Sequence, residues 1–358
     1  MEEAATGVGS IVIFILGAIL LIYSAEKLIS YLIGAAATAK ISLFLLAVIF
    51  TGIEFDDVFL GVALGLEDLS GVALGLVFGT AVSFIGIVLA AAMIFVPCEV
   101  RIPRDYLAIF AVSPLVLFAF VLTAPLTTVH AISLIALFVA FIIYVWRRET
   151  RRQTAVFRNA EVYEHIIEKQ ALGVRDAPAG VTSPRRSRLR LLLPGAPPPQ
   201  LSGKLLLVLA AAALAGLVVG AYVTGEGTEG IIEGFGIEET LFGATIATLV
   251  LTIEDLLLTV EPARRGAPEL GVGNIIGSVV FSVTAKLGII LLFGGSIVVD
   301  DSVITWHLPV LVVMVALAAA FLLTGHLRRW HGIVLFGLYV AYWAVSFSLY
   351  GEAPIEAD

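Results

Sequence analysis

Ten apolar runs, each long enough to cross ~30 Å of hydrocarbon as a helix, constrain this chain more than any other feature. They fall at about 9–29, 41–66, 71–97, 106–124, 127–146, 204–223, 240–260, 270–297, 304–325 and 331–350. Of the 358 residues, 59% are hydrophobic and only 14% are charged, against roughly 25% charged residues in a soluble domain. The chain therefore reads as an all-α polytopic membrane protein. Its first run follows Glu2 and Glu3 and is too long for a cleaved signal peptide, which opens with positive charge and carries a short apolar core. It counts as a helix. The single cysteine, Cys98, excludes an intramolecular disulfide and a cysteine metal site, and is expected to pack near a helix end.

Two runs break the apolar rule. Thr51-Gly52-Ile53-Glu54-Phe55-Asp56-Asp57 puts three carboxylates in one span, and Thr252-Ile253-Glu254-Asp255 puts two in another. A charge at the bilayer centre costs roughly 2.5–3.5 kcal/mol on insertion scales. Structural ion pairing would need a cation for each of the five acids, and apart from Lys27 at the end of the first run, beside Glu26, the spans offer only Lys286. The carboxylates are therefore read as functional.

The net charge of −8 matters less than its distribution. With the N-terminus outside, ten spans put Lys27, Lys40, Arg101, Arg104, the block Arg147–Lys204, Arg264, Arg265, Arg328 and Arg329 on one side. The positive-inside bias makes that side cytoplasmic. The opposite side carries Glu67, Asp68, Glu226, Glu229, Glu233, Glu238, Glu239, Asp300, Asp301, Glu352, Glu356 and Asp358, as a cation-concentrating rim or simply as solvated helix ends. Both termini are expected outside, in the plasma membrane. Residues 148–203 form a cytoplasmic linker, with a weakly amphipathic Glu161–Leu172 and a basic, proline-rich Ala177–Gly203 able to lie on anionic lipid. They separate a first five-helix repeat, 1–147, from a second, 204–358.

Because five is odd, the halves have opposite orientation. A shift of 198 residues lays Asp57 on Asp255, Gly75 on Gly273, Gly79 on Gly277 and Thr80 on Ser278. The fold expected is ten transmembrane helices as two inverted five-helix repeats, an arrangement that places a transport site at the midplane between them.

The residues also carry a family resemblance. Gly243-Ala244-Thr245, Thr252-Ile253-Glu254-Asp255 and Gly271-Val272-Gly273-Asn274-Ile275-Ile276-Gly277-Ser278 resemble an alpha-repeat of the sodium/calcium exchanger family, within the calcium/cation antiporter superfamily. That repeat has a Gly-Thr-Ser-x-Pro-Glu segment followed, 18 and 19 residues after the Glu, by Gly-Asn and then Gly-Ser. Counting back from Asn274 reaches Asp255, and from Gly75 reaches Asp57, so the resemblance puts these two at the family's ion-binding glutamates. The first span is similar through Gly17, Ala25-Glu26-Lys27-Leu28 and Gly34-Ala35-Ala36. This chain departs from the pattern at the prolines, here Asp56 and Glu254, at the serines, here Glu54 and Thr252, and at one asparagine, here Leu76. Without proline, the usual cause of a kink, the helices are expected to run unbroken through the site.

A calcium ion takes six to eight oxygens at roughly 2.3–2.6 Å. If both segments are helical, Glu54 and Asp57 share a face, as do Thr252 and Asp255, while Glu254 lies about 100° from Asp255. Asp57 and Asp255 rank first as metal ligands, Glu54 and Glu254 next, and Asp56 last. Thr80, Ser83, Asn274, Ser278 and Ser282 could complete the shell, although a membrane hydroxyl more often bonds its own helix. The glycines of the third and eighth spans allow close helix approach, and the histidines, His130, His165, His307, His326 and His331, read as interfacial or loop residues. Lys286 continues the stripe Asn274, Ser278, Ser282 at every fourth residue. It is a possible charge partner, reaching back to the acids or snorkelling outward.

The resemblance implies a secondary antiporter, not an enzyme, that exports Ca2+ or a similar cation in exchange for Na+ or H+. Its first and sixth spans would form the mobile pair. No cofactor is expected beyond the transported ions, and the expected partners are inorganic cations and membrane lipid, with no nucleic acid and no obligate protein. An intramembrane aspartyl protease also needs two membrane aspartates, but its Tyr-Asp and Gly-x-Gly-Asp patterns do not surround Asp57 or Asp255. A non-transporting membrane sensor would need an output domain, and the linker is too short and too poor in apolar pattern to fold as one.

Overall fold

The computed structural model describes residues 2–38, 52–149, 202–264 and 268–351. The 148–203 linker lies almost wholly outside the described residues, as do Lys40, Thr51, Arg265, Glu352, Glu356 and Asp358. The described chain forms ten continuous helical stretches: α1 (Glu2–Thr38), α2 (Phe55–Leu66), α3 (Ser70–Phe95), α4 (Arg104–Val121), α5 (Thr128–Glu149), α6 (Gly203–Phe235), α7 (239–264), α8 (Pro268–Gly294), α9 (Val303–Leu323) and α10 (Arg329–Tyr350). Among the described residues eight are long and apolar enough to cross a membrane. The two that are not, α2 and α7, carry the acidic knots.

Two helices form the centre. In α3 and α8, 94% and 89% of the apolar window is buried, against half or less in the other six apolar helices. The sequence explains this: α3 is almost entirely Gly, Ala, Val, Leu, Ile and Phe, and a helix apolar on every side can be enclosed on every side. Around this pair α1 packs on α6, α2 on α8, α3 on α7, α3 on α10, α5 on α8, and α4 on α9.

The α1–α6 contact runs antiparallel along small residues. Gly230 faces Ser10, Gly227 faces Phe14, Thr224 faces Gly17, Gly220 faces Leu21 and Gly216 faces Ser24. In lipid no hydrophobic force drives helices together, so close van der Waals packing over small residues supplies the attraction. A Cβ at Gly227 would lie 2.4 Å from the Phe14 nitrogen; any larger residue would pry the pair apart.

The structure corrects the strictly all-α expectation. Cys98 and Glu99 pair antiparallel with Leu327 and His326, and Leu126 bridges Ile297. These small ladders lie before and after α4, at its opposite ends, and each ties a connection in the first half to one in the second. Cys98 thus sits in the link between α3 and α4. The histidine reading also needs correction: His307 and His331 are 0% and 2% exposed, and His307 Nδ1 lies 2.7 Å from the Tyr342 hydroxyl.

Four helices contain a widened π turn: Phe84–Leu89 in α3, Gly243–Ala247 in α7, Ser282–Lys286 in α8 and Val303–His307 in α9. Such turns cluster at functional sites. Those of α3 and α8 start 198 residues apart, at Phe84 and Ser282, the same offset that relates Asp57 to Asp255.

Candidate cation site

At the first acidic knot a helix begins. Gly52 has φ +77, Glu54 is the extended N-cap (φ −99, ψ 95), and α2 starts at Phe55. The expectation of an unbroken helix is thus corrected here, and glycine does what proline would have done. A Cβ on residue 52 would stand 2.3 Å from the Gly277 carbonyl carbon, so both the positive φ and the approach to α8 require glycine. As a result Glu54, Asp56 and Asp57 gather at a helix N-terminus, where unbonded N–H groups and the helix dipole favour anions. Glu54 and Asp57 do not share a helical face, since Glu54 precedes the helix, yet both reach the same partner.

That partner is Lys286. Its Nζ lies 2.5 Å from Asp57 Oδ2, 2.8 Å from Thr80 Oγ1 and 3.5 Å from Glu54 Oε2. The lysine is 0% exposed, Asp57 3%, Thr80 3% and Glu54 8%. An ammonium has three donors and no acceptor; here three oxygens from α2, its N-cap and α3 receive them. The Thr80 hydroxyl accepts from the lysine and donates to Asp57 Oδ2 at 2.6 Å or to the Leu76 carbonyl at 2.8 Å. Removing one partner of such a buried ion pair would leave the other charge uncompensated, at a cost of roughly 3–5 kcal/mol.

Beside it lie polar atoms whose bonding is incomplete. The Ser278 hydroxyl faces the Glu54 carboxylate, yet neither Ser278 Oγ nor Glu54 Oε1 completes a well-formed hydrogen bond, and Ser282 Oγ, farther along the same helix, is likewise buried without a partner among the described residues. Orphaned buried oxygens are costly, and a carboxylate facing a hydroxyl is a donor pair suited to a hard cation. Among the described residues no three His, Cys, Asp or Glu side chains converge as a ready metal site. The charged core of this knot is two carboxylates and an ammonium.

The second knot is built differently. A continuous α-helix runs from Thr248 to Arg264, so Thr252 and Asp255 do share a face. The Thr252 hydroxyl donates to its own helix at the Thr248 carbonyl, 2.6 Å away. Asp255 is half-buried, as are Asp56 and Asn274. The Glu254 side chain lies outside the described residues. Ser83 is turned elsewhere, its hydroxyl 3.3 Å from that of Tyr339 on α10. Of the candidates from sequence, the structure thus gathers Glu54, Asp57, Thr80, Ser278 and Lys286. Sequence reasoning missed Gly52 as the residue that starts α2; its signal was a glycine directly ahead of an acidic run inside an apolar stretch.

Comparison with known proteins fits this geometry. The chain matches the sequence model of the family described as Sodium/calcium exchanger protein over residues 9–147 and 205–348. It is 32% identical to Sodium/calcium exchanger MaX1 of Methanosarcina acetivorans over 134 residues, 37% of this chain and 38% of that one. It is 27% identical to the uncharacterized membrane protein MJ0091 of Methanocaldococcus jannaschii over 134 residues, 37% of this chain and 43% of that one. The chain thus spans only about two fifths of the length of these curated relatives. Among solved structures, the H+/Ca2+ exchanger CAX superposes with a TM-score of 0.64 at 18% identity, covering 95% of this chain and 85% of that one. The sodium-calcium exchanger NCX_Mj gives 0.53 at 19% identity, covering 94% and 97%. At such identities the likeness is one of fold. The family match, the apolar helices and the fold lead to one conclusion: this chain is an integral membrane protein that belongs to the sodium/calcium exchanger protein family, a family of ion transporters rather than enzymes.

Proposed function

We propose that the protein is a secondary cation antiporter, exporting Ca2+ or a similar cation in exchange for Na+ or H+, with its site at the two acidic knots. The observation that carries this reading is the buried group Glu54, Asp57, Thr80 and Lys286, with the Ser278 hydroxyl facing a Glu54 carboxylate whose Oε1 has no well-formed hydrogen bond. Asp255, with Thr252, Asn274 and Glu254, supplies the other side. Competition of two ions for the same carboxylates couples their movements, and rocking of α1 and α6 against the rest alternates access. Exchangers named for Na+ and for H+ both share this fold, so the partner ion is a matter for flux. The test is uptake into proteoliposomes of Ca2+, Mg2+, Mn2+ and K+ against imposed Na+ and H+ gradients. We expect divalent uptake driven by at least one gradient; absence of coupled flux for every pair would contradict the reading.

Ten transmembrane helices in two inverted repeats belong to the same proposal. Four observations support it. The equivalent helices α1 and α6 run antiparallel. The contacts of α2 with α8 and of α5 with α8 are mirrored by those of α7 with α3 and of α10 with α3. The π turns of α3 and α8 keep the 198-residue offset. The paired segments 98–99 and 326–327 bring the neighbourhoods of Arg101, Arg104, Arg328 and Arg329 to one end, in accord with a cytoplasmic basic face in the plasma membrane. A cysteine introduced near Ser187 should then be labelled only from the cytoplasm, and one near Gly351 only from outside; labelling of both from one side would overturn the count.

A further inference from the structure

Lys286 puts a positive charge into a site whose cargo is positive. Resting on the antiport reading above, we propose that this lysine is a tethered substitute for one monovalent cation. Its ammonium holds the position at Asp57, and the exchangeable cation is left to Glu54 Oε1 and Ser278.

The ammonium is coordinated as a bound cation would be. Carboxylate, hydroxyl and carboxylate oxygens surround it at 2.5, 2.8 and 3.5 Å, and it is 0% exposed. Snorkelling outward, the alternative open to a lysine near a helix end, does not occur. Its backbone is shaped for the purpose: Ser282–Lys286 is a π turn, which takes more residues per revolution than an α-turn. Lys286 closes that turn, on the helix that also carries Ser278 and Ser282. The position 198 residues earlier on α3 is Val88, buried and apolar, so the substitution is made in one half alone. A purely structural ion pair would account for the Lys286–Asp57 contact. It gives no role to Glu54 Oε1, which is buried without a well-formed hydrogen bond while the Ser278 hydroxyl faces its carboxylate, an oxygen pair still able to take a cation.

The consequence concerns number. With its ammonium in place the protein binds one monovalent cation fewer, and moves one charge fewer in each cycle, than the same scaffold without it. Removing the lysine should therefore create a monovalent-cation site at Asp57.

Equilibrium binding of radiolabelled Na+ and K+ to the purified full-length chain tests this without reference to flux. We expect Lys286→Met to bind one more monovalent ion per chain than wild type, with at least tenfold tighter apparent affinity for Na+ or K+. The double variant Asp57→Asn/Lys286→Met, which removes carboxylate and ammonium together, should return the count to the wild-type value. Should Lys286→Met be unstable, extraction in NaCl or KCl should rescue it where choline chloride does not, because the small cation refills the place of the ammonium. An unchanged ion count with affinities within twofold of wild type, or an absence of cation-specific rescue, would overturn the proposal. Loss of coupled flux in wild type would instead strike the antiport reading, while the binding count would still decide the role of the lysine.

Discussion

Asp57 and Asp255 stand 198 residues apart in matching sequence surroundings, yet the backbone treats them differently. Asp57 sits in the first turn of a helix that starts behind Gly52, 3% exposed and held by an ammonium and a hydroxyl. Asp255 lies inside a continuous helix, half-buried, with its neighbouring threonine bonded to the helix backbone. Equivalent positions in sequence have become one buried and held by an ammonium and one half-buried within a helix. The difference arises on α8, where Lys286 faces the first knot, whereas α3 carries Val88 at the corresponding place.

The sharpest break in this comparison is expected from making the same substitution twice. Asp57→Asn leaves Lys286 buried without its closest counter-charge and should cost roughly 3–5 kcal/mol, read as a large fall in detergent melting temperature. Asp255→Asn acts at a half-buried position and should cost clearly less. Equal losses would mean that the two halves are built alike.

A smaller contrast lies in the backbone. Gly52→Ala forces a Cβ against Gly277 at a positive φ and should cost at least the roughly 1–3 kcal/mol of a strained residue. Val250→Ala, 198 residues on and within α7, should cost about 1 kcal/mol, the usual scale for a point change. Melting of the two variants side by side checks whether α2 truly depends on that glycine.

The smallest effect concerns the far end of α2. Burial, and after it the nearby Glu226 and Glu229, raises the Glu67 carboxyl from 4.5 to about 7. A raised value means that the folded state holds this proton more tightly than the unfolded chain does. The stabilisation is fully present below about pH 4.5 and is lost as the pH rises through about 7. Glu67→Gln should therefore flatten the dependence of melting temperature on pH between 4.5 and 7, with little change elsewhere. An unaltered pH profile would remove Glu67 from this account.

Much of this was legible in the sequence because the membrane makes charge conspicuous. The acids of the two knots and Lys286 stand out in apolar runs, and of these the structure buries Glu54, Asp57 and Lys286 and half-buries Asp56 and Asp255, while the length of the apolar runs finds the helices. Three things were hidden. The start of α2 depends on one glycine adopting a positive φ against another helix, and the glycine ahead of the acidic run marks the place without revealing the helix it packs on. The sequence left Lys286 to reach back to the acids or to snorkel outward, and the π turn in which it lies, Ser282–Lys286, is invisible to a 3.6-residue count. The hydroxyls of Ser83 and Thr252 found partners nearer than the acids, Tyr339 and the Thr248 carbonyl, and that choice belongs to tertiary packing and local backbone.

The central claim is that both knots serve a single transport event despite their different construction. It is tested most directly by cation flux through Asp57→Asn and Asp255→Asn proteins reconstituted in liposomes, beside wild type under the same ion gradients. The account predicts that each substitution abolishes coupled flux, Asp255→Asn doing so while the protein remains folded. Wild-type flux through either variant would contradict it.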